Sequence, residues 1–394
     1  METMDKKTGL ILTGGGARAA YQVGVLNALS LILLEAGWPA HCNPFQIICG
    51  TSAGAINATA LACRADDFGE GVRELMGVWS HFKADQVYRA DSLGVIRSGA
   101  RWLSLFSFGW LLRKWHANPP NSLLDNTPLV TMLHRLLDLP RLDDALANGT
   151  LHALAVTASS YSGGQHLTFY QSSQKVEPWQ RTQRAAVRDQ IGVEHLLASS
   201  AIPFIFPAIP IFYEGRREYF GDGSMRQVAP ISPAIHLGAS KILVIGSGRI
   251  GDRAGPANAQ TQYPSLAQVA GHALSSIFLD GLSADIERVN RINQTLSILT
   301  TEQREKMSLR PVDVLVVTPS ERIDEIASRH VNSLPRPVRV MLGGIGATEA
   351  RGAALASYLL FEASFTNELI ALGQRDTEAM RDEVLAFFGQ YQPL

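Results

Sequence analysis

Gly50-Thr51-Ser52-Ala53-Gly54 sets a serine between two glycines. The apolar run Phe45 to Cys49 precedes it and reads as a buried strand. A run of small residues from Ala55 to about Arg64 follows and reads as a helix. G-x-S-x-G at a strand–turn–helix junction is a nucleophile elbow. Its sharp turn lifts a hydroxyl clear of the sheet, and glycines at Gly50 and Gly54 remove the Cβ atoms that would clash there. The helix beginning beside Ser52 directs free N–H groups and its positive dipole end at the reacting centre. The chemistry this arrangement serves is acyl transfer through a covalent serine intermediate. An ordinary Gly-rich βα turn with a chance serine spells the same five letters, so the motif needs partners.

Gly14-Gly15-Gly16 follows a first apolar run at residues 8–13. In a catalytic reading, bare backbone N–H groups of Gly14, Gly15 and Gly16 hold the oxyanion of a tetrahedral intermediate, with Arg18 beside them. In a second reading, Gly14-x-Gly16-x-x-Ala19 is a dinucleotide fingerprint. That fingerprint needs an acid at the end of the second strand, and this one ends Cys49-Gly50. The third stretch is Arg217-Glu-Tyr-Phe-Gly-Asp222-Gly223-Ser224. Asp222 stands where a strand gives way to a loop. Asp-Gly alone is a turn signal; with Ser52 it offers a carboxylate base for the serine. A Ser–His–Asp triad is the rival arrangement, with His236 or His272 following the acid in chain order. None of the ten histidines pairs with another at i,i+3 or i,i+4, and H-E-x-x-H is missing, so no metal site is predicted.

The elements that must hold these residues alternate. Strand 8–13, a helix from about Ala17 to Ala36, the strand before Ser52 and the helix after it predict a parallel sheet with crossover helices. Further strands are expected at Leu151–Ala158, Gln165–Tyr170, Lys241–Gly246 and Asp313–Thr318. Glu194–Ala201 reads as a short helix and Leu266 to about Leu299 as a long one. Ile202–Tyr213 carries three prolines; it reads as irregular chain suited to lining an apolar cleft. Residues 66–120 read as helical and linking. Two helical stretches are expected around 347–363 and 377–388.

The whole chain sets outer bounds. Its 394 residues are 46% hydrophobic and 18% charged, with formal net charge -1. That composition describes a folded globular protein and excludes a global pull toward nucleic acid. Three cysteines without a C-x-x-C motif suggest a reduced compartment. No basic-then-apolar leader opens the chain and no spanning segment stands out. The expected location is the cytoplasm, with peripheral membrane contact. For that contact, residues 101–115 interleave Trp102, Phe106, Phe108, Trp110 and Trp115 with Arg101, Arg113 and Lys114, a mixture suited to an anionic lipid surface. A lid or core helix would use the same aromatics.

In order, Gly14-Gly15-Gly16-Ala17-Arg18, Gly50-Thr51-Ser52-Ala53-Gly54 and Asp222-Gly223 resemble the motif set of the patatin-like phospholipases, serine acyl hydrolases with a Ser–Asp dyad. Ser122 to Leu129 and Ala198-Ser-Ser-Ala-Ile-Pro203 are similar to stretches between those motifs. Two positions depart from the family pattern: Ala19 replaces a usual glycine and Ser224 a usual glycine or alanine. The resemblance implies an α/β/α three-layer fold with a mainly parallel central sheet. Residues 1–320 would form the catalytic domain, with the motifs in about 8–250; residues 321–394, which the motif set does not explain, read as a helical C-terminal extension. It further implies Ser52 as nucleophile, Asp222 as base and Gly14, Gly15 and Gly16 as the oxyanion hole, with Arg18 as neighbour. Gly50 and Gly54 would frame the elbow and Gly223 the dyad loop. The expected function is hydrolysis of carboxylic esters in phospholipids or related lipids, with no cofactor. Alternatives are a triad esterase, a dinucleotide-binding oxidoreductase and a non-catalytic lipid binder of the same fold. The oligomeric state is left open.

Overall fold

A computed structural model describes residues 7–89, 122–249, 263–348 and 352–391. The aromatic and basic stretch 101–115 lies outside the described residues.

Apolar runs build a ten-stranded sheet whose main path has the order β10-β9-β1-β2-β3-β4-β6-β5. These strands are β1 (Lys7–Leu12), β2 (Ile47–Thr51), β3 (Ala153–Ser160), β4 (His166–Ser172), β5 (Gln180–Arg181), β6 (Arg184–Arg188), β9 (Ala239–Ile245) and β10 (Asp313–Val317). From β10 through β3 every pairing is parallel. β3 pairs antiparallel with β4 along most of its length and with β8 (Arg216–Asp222) at its end, while β6 runs parallel to β4. β7 (Ile209–Tyr213) pairs only with β8.

Side chains on these strands go alternately to two cores. Leu10, Leu12, Ile48, Leu154, Val156 and Leu243 join the larger one, against α1 (Ala20–Glu35), α2 (Ala53–Ala62) and α3 (Phe68–Ser80). Ile11, Ile47, Cys49, Ala155, Ile242 and Val244 face the smaller one, against the helices Ser232–His236 and Leu266–Ile298. Strands buried on both faces need apolar residues at every position, which is why the strand at Ser52 reads as one apolar run. The fold is the expected three-layer α/β/α sandwich. Gly16–Glu35 is long and apolar enough to cross a membrane, but it is mostly buried in this sandwich.

Two expectations change. Ile202–Tyr213 is not wholly irregular: its last five residues form β7. Pro210 is tolerated because β7 is an edge strand with one neighbour. The C-terminal region holds more helix than expected, at Ile323–His330, Arg336–Gly343, Ala353–Ser357, Ala363–Ala379 and Arg381–Phe388. Residues after 320 share the main core: Phe365, Leu369 and Leu372 are buried in it. The Tyr21 hydroxyl on α1 donates to Asp376 Oδ2 at 2.9 Å.

Candidate active site

Ser52 ends the turn after β2 and is the residue before the first turn of α2, with φ 56° and ψ -133°. A non-glycine residue there carries strain of about 1–3 kcal/mol and persists only where its surroundings fix it. The flanking glycines are required by close approach. A Cβ on Gly50 would stand 2.5 Å from Ala55 Cα, and one on Gly54 would stand 2.3 Å from the Leu12 carbonyl oxygen. The elbow helix is thus pressed onto the end of β1, where the glycine loop begins.

Asp222 is the last residue of β8, which runs antiparallel to β3 and delivers it to the Ser52 end of the sheet. Ser52 Oγ donates to Asp222 Oδ2 at 2.7 Å. The other carboxylate oxygen, Oδ1, accepts the Ser224 N–H at 2.8 Å. Asp222 is completely buried. Burial disfavours its charge and lifts the carboxyl to about 6, against the lowering pull of the Ser52 and Ser224 hydrogen bonds. A carboxylate of that basicity is ionised at neutral pH and is a better base than a free one. The third-position Ser224 is compatible with this loop, because its N–H makes a contact that any residue there can make.

The glycine loop meets the site along one edge. Gly16 and Ser52 line the same cavity. The N–H groups of Gly14, Gly15 and Gly16 donate to no carbonyl or side chain among the described residues. A polar network sets the loop. Gln22 Nε2 donates to the Thr13 carbonyl (2.7 Å), and the Ser247 hydroxyl to the Gly14 carbonyl. Asn57 Nδ2 donates to Gln22 Oε1 (3.1 Å), and Trp79 Nε1 to Asn57 Oδ1 (2.9 Å). Gln22 and Asn57 were legible only as polar residues interrupting apolar helices.

Arg18 stands beside the glycine loop, its N–H bonded to the Gly15 carbonyl at 3.1 Å, with its side chain turned away. Its Nε donates to Ser357 Oγ at 2.7 Å, its Nη2 to the Ala354 carbonyl at 3.3 Å, and its guanidinium lies 4.1 Å over the Tyr358 ring. The side chain is committed to the C-terminal region. Tyr358 also accepts the Ala17 N–H through its carbonyl at 3.1 Å. Gly16, at φ +55°, passes so near that a Cβ would lie 2.3 Å from that oxygen. Residues 354–358 therefore form the wall behind the loop.

No histidine stands between Ser52 and Asp222, since the two side chains touch. His236 lies just before β9 starts, at the opposite end of the parallel strands from Ser52, and stacks on Trp179 at 4.7 Å. Burial and the nearby Arg181, Arg184 and Arg310 press its ring down to about 4. His272 is exposed on the helix Leu266–Ile298.

From Ser52 a cavity of about 530 Å³ runs between α2, α3 and the helix Thr127–Leu136. Ile56, Leu75, Val78, Phe82, Met132 and Phe206 make its wall apolar. Its size and lining suit a small apolar ligand or chain. Ile202 and Phe206 bring the proline-rich stretch into it, as expected of that stretch.

No curated protein matches the sequence. Among solved structures, the chain aligns with VipD from Legionella pneumophila at 15% identity and a TM-score of 0.34, over 98% of this chain and 70% of that one. It aligns with the complex of SpcU and ExoU, from the type III secretion system of Pseudomonas aeruginosa, at 20% identity and a TM-score of 0.19. That alignment covers 41% of this chain and 34% of the other. The family model described as Patatin-like phospholipase matches residues 10–235, a span that takes in the glycine loop, the elbow and Asp222. With more than half its length inside that match, the chain belongs to the patatin-like phospholipase family, whose members are lipid acyl hydrolases.

Proposed function

We propose that this protein hydrolyses carboxylic ester bonds of phospholipids or related acyl lipids through a Ser52–Asp222 dyad and an acyl-enzyme. The observation that carries the reading is the 2.7 Å hydrogen bond from the Ser52 hydroxyl to a fully buried carboxylate, at one end of an apolar cavity. Asp222 takes the Ser52 proton as Oγ attacks the ester carbonyl. The tetrahedral oxyanion is held by the N–H groups of Gly14, Gly15 and Gly16 and the first turn of α2. Collapse expels the alcohol portion, which leaves with the proton from Asp222, and the acyl group stays on Ser52. A water then attacks the acyl-enzyme, giving its proton to Asp222. Breakdown of the second tetrahedral intermediate frees the fatty acid and returns the proton to Ser52.

The test is turnover of p-nitrophenyl esters of increasing acyl length, with phospholipid vesicles in parallel, by wild type and Ser52→Ala. Turnover that is lost in Ser52→Ala and rises with acyl length is expected. Turnover retained in a folded Ser52→Ala protein would refute the dyad.

A further inference from the structure

The stretch Ala198-Ser-Ser-Ala-Ile-Pro203 has no part in the chemistry above, yet it touches both reacting residues. Ser199, fully buried at the end of the helix Val193–Ser199, accepts the Ser52 N–H on its Oγ at 2.8 Å. The same Oγ donates to the Thr157 carbonyl of β3 at 2.6 Å. Two residues of backbone serve the other partner: the Ser199 carbonyl accepts the Gly223 N–H at 3.1 Å, and the Ala201 carbonyl accepts the Asp222 N–H at 3.0 Å.

We infer that Ser199 is a positioning residue for the reaction: residues 199–201 tie the main chains of Ser52 and Asp222 to one another, and the Ser199 hydroxyl holds Ser52 in its strained conformation. This rests on the dyad reading. The physical case has three parts. Ser52 occupies a backbone region that a side-chain-bearing residue leaves unless it is held. Its N–H is buried, and Ser199 Oγ is the group that satisfies it. The hydroxyl can do so only because its own proton is spent on Thr157, which turns its lone pairs toward Ser52. The bond also removes the Ser52 N–H from the anion-binding donors and leaves that task to the glycine loop and the first turn of α2.

Ser199→Ala leaves two buried backbone groups without this partner and lets the elbow relax. Misplacement of about 1 Å at a reacting atom lowers a rate by on the order of 100-fold. The experiment measures three things on Ser199→Ala: kcat and KM on a short p-nitrophenyl ester, the rate at which a small fluorophosphonate modifies Ser52, and the pH midpoint of that rate. In the labelling step Ser52 Oγ bonds to phosphorus, fluoride leaves and Asp222 takes the proton. The expected result is a parallel fall of about 10- to 100-fold in kcat and labelling rate with KM little changed. The pH midpoint should rise, because the hydrogen bond from Ser52 that lowers the Asp222 carboxyl is weakened. Ser199→Cys, with a similar shape and a weaker donor and acceptor, should fall between the two and answers the question if Ser199→Ala does not fold. Thr59→Val removes another buried hydroxyl, one without a partner among the described residues, and should label at the wild-type rate. A folded Ser199→Ala that labels as fast as wild type overturns the inference and leaves the dyad standing. A folded wild type that does not label at Ser52 overturns both.

Discussion

Asp222→Asn should separate stability from activity in opposite directions. In the folded chain the buried Asp222 carboxyl keeps its proton up to about pH 6, whereas the unfolded chain releases it near 3.8. Below 3.8 both states are protonated and the group makes no difference to stability. Between 3.8 and 6 the native state binds more protons than the unfolded state, so stability falls as the pH rises. Above 6 the loss is complete and amounts to about 3 kcal/mol. Asparagine has the same shape and no charge to bury. Its oxygen can accept the Ser224 N–H and its amide can donate to Ser52 Oγ, which replaces both contacts of the carboxylate. Urea unfolding of wild type and Asp222→Asn from pH 4 to 8 reads the difference. At pH 8 the variant should be the more stable by about 3 kcal/mol, and the gap should close toward pH 4. Its esterase activity should be lost by a factor of about 100 to 10,000, the contribution of a positioned general base. Wild-type kcat/KM should fall below pH 6 as Asp222 gains its proton. A variant less stable than wild type at pH 8, or a gap independent of pH, would refute the reasoning that burial sets the basicity of this group.

Two other outcomes follow from the walls of the site. Ala60 lines the cavity on α2, so Ala60→Phe should lower kcat/KM for long-chain esters against acetate by at least about 10-fold; equal loss on both esters would mean that the acyl chain lies elsewhere. Arg18→Lys keeps the charge but cannot reproduce a planar fork bonded to Ser357 and Ala354 over the Tyr358 ring. It should destabilise the protein by about 1–3 kcal/mol and slow turnover by loosening the glycine loop, and wild-type melting would show that the clasp carries no energy.

The parts of this molecule that answer to local rules were legible in its residues. The elbow around Ser52 is written in its glycines, because the helix it starts packs onto β1 at backbone distance. The strand–helix alternation follows from apolar runs that must be buried on both faces. The long helix at Leu266 begins where Ser265 and Gln268 form a capping box. Where the expectation failed, a neighbour decided. Pro210 sits in a strand because that strand has an open edge, and nothing near Pro210 in the sequence announces an edge. Arg18 reads only as a neighbour of the glycine loop, and Ser357, 339 positions away, decides where its side chain goes. Ser52 and Asp222 are 170 positions apart. Each could be suspected from its own motif, but their 2.7 Å contact exists only because β8 runs antiparallel to the end of β3. The cavity, the place of Gly16 beside Ser52, and the hold of Ser199 on Ser52 likewise arise from elements converging at one end of the sheet. Sequence spacing records which groups are present; their distance, burial and basicity are set by what the fold packs around them.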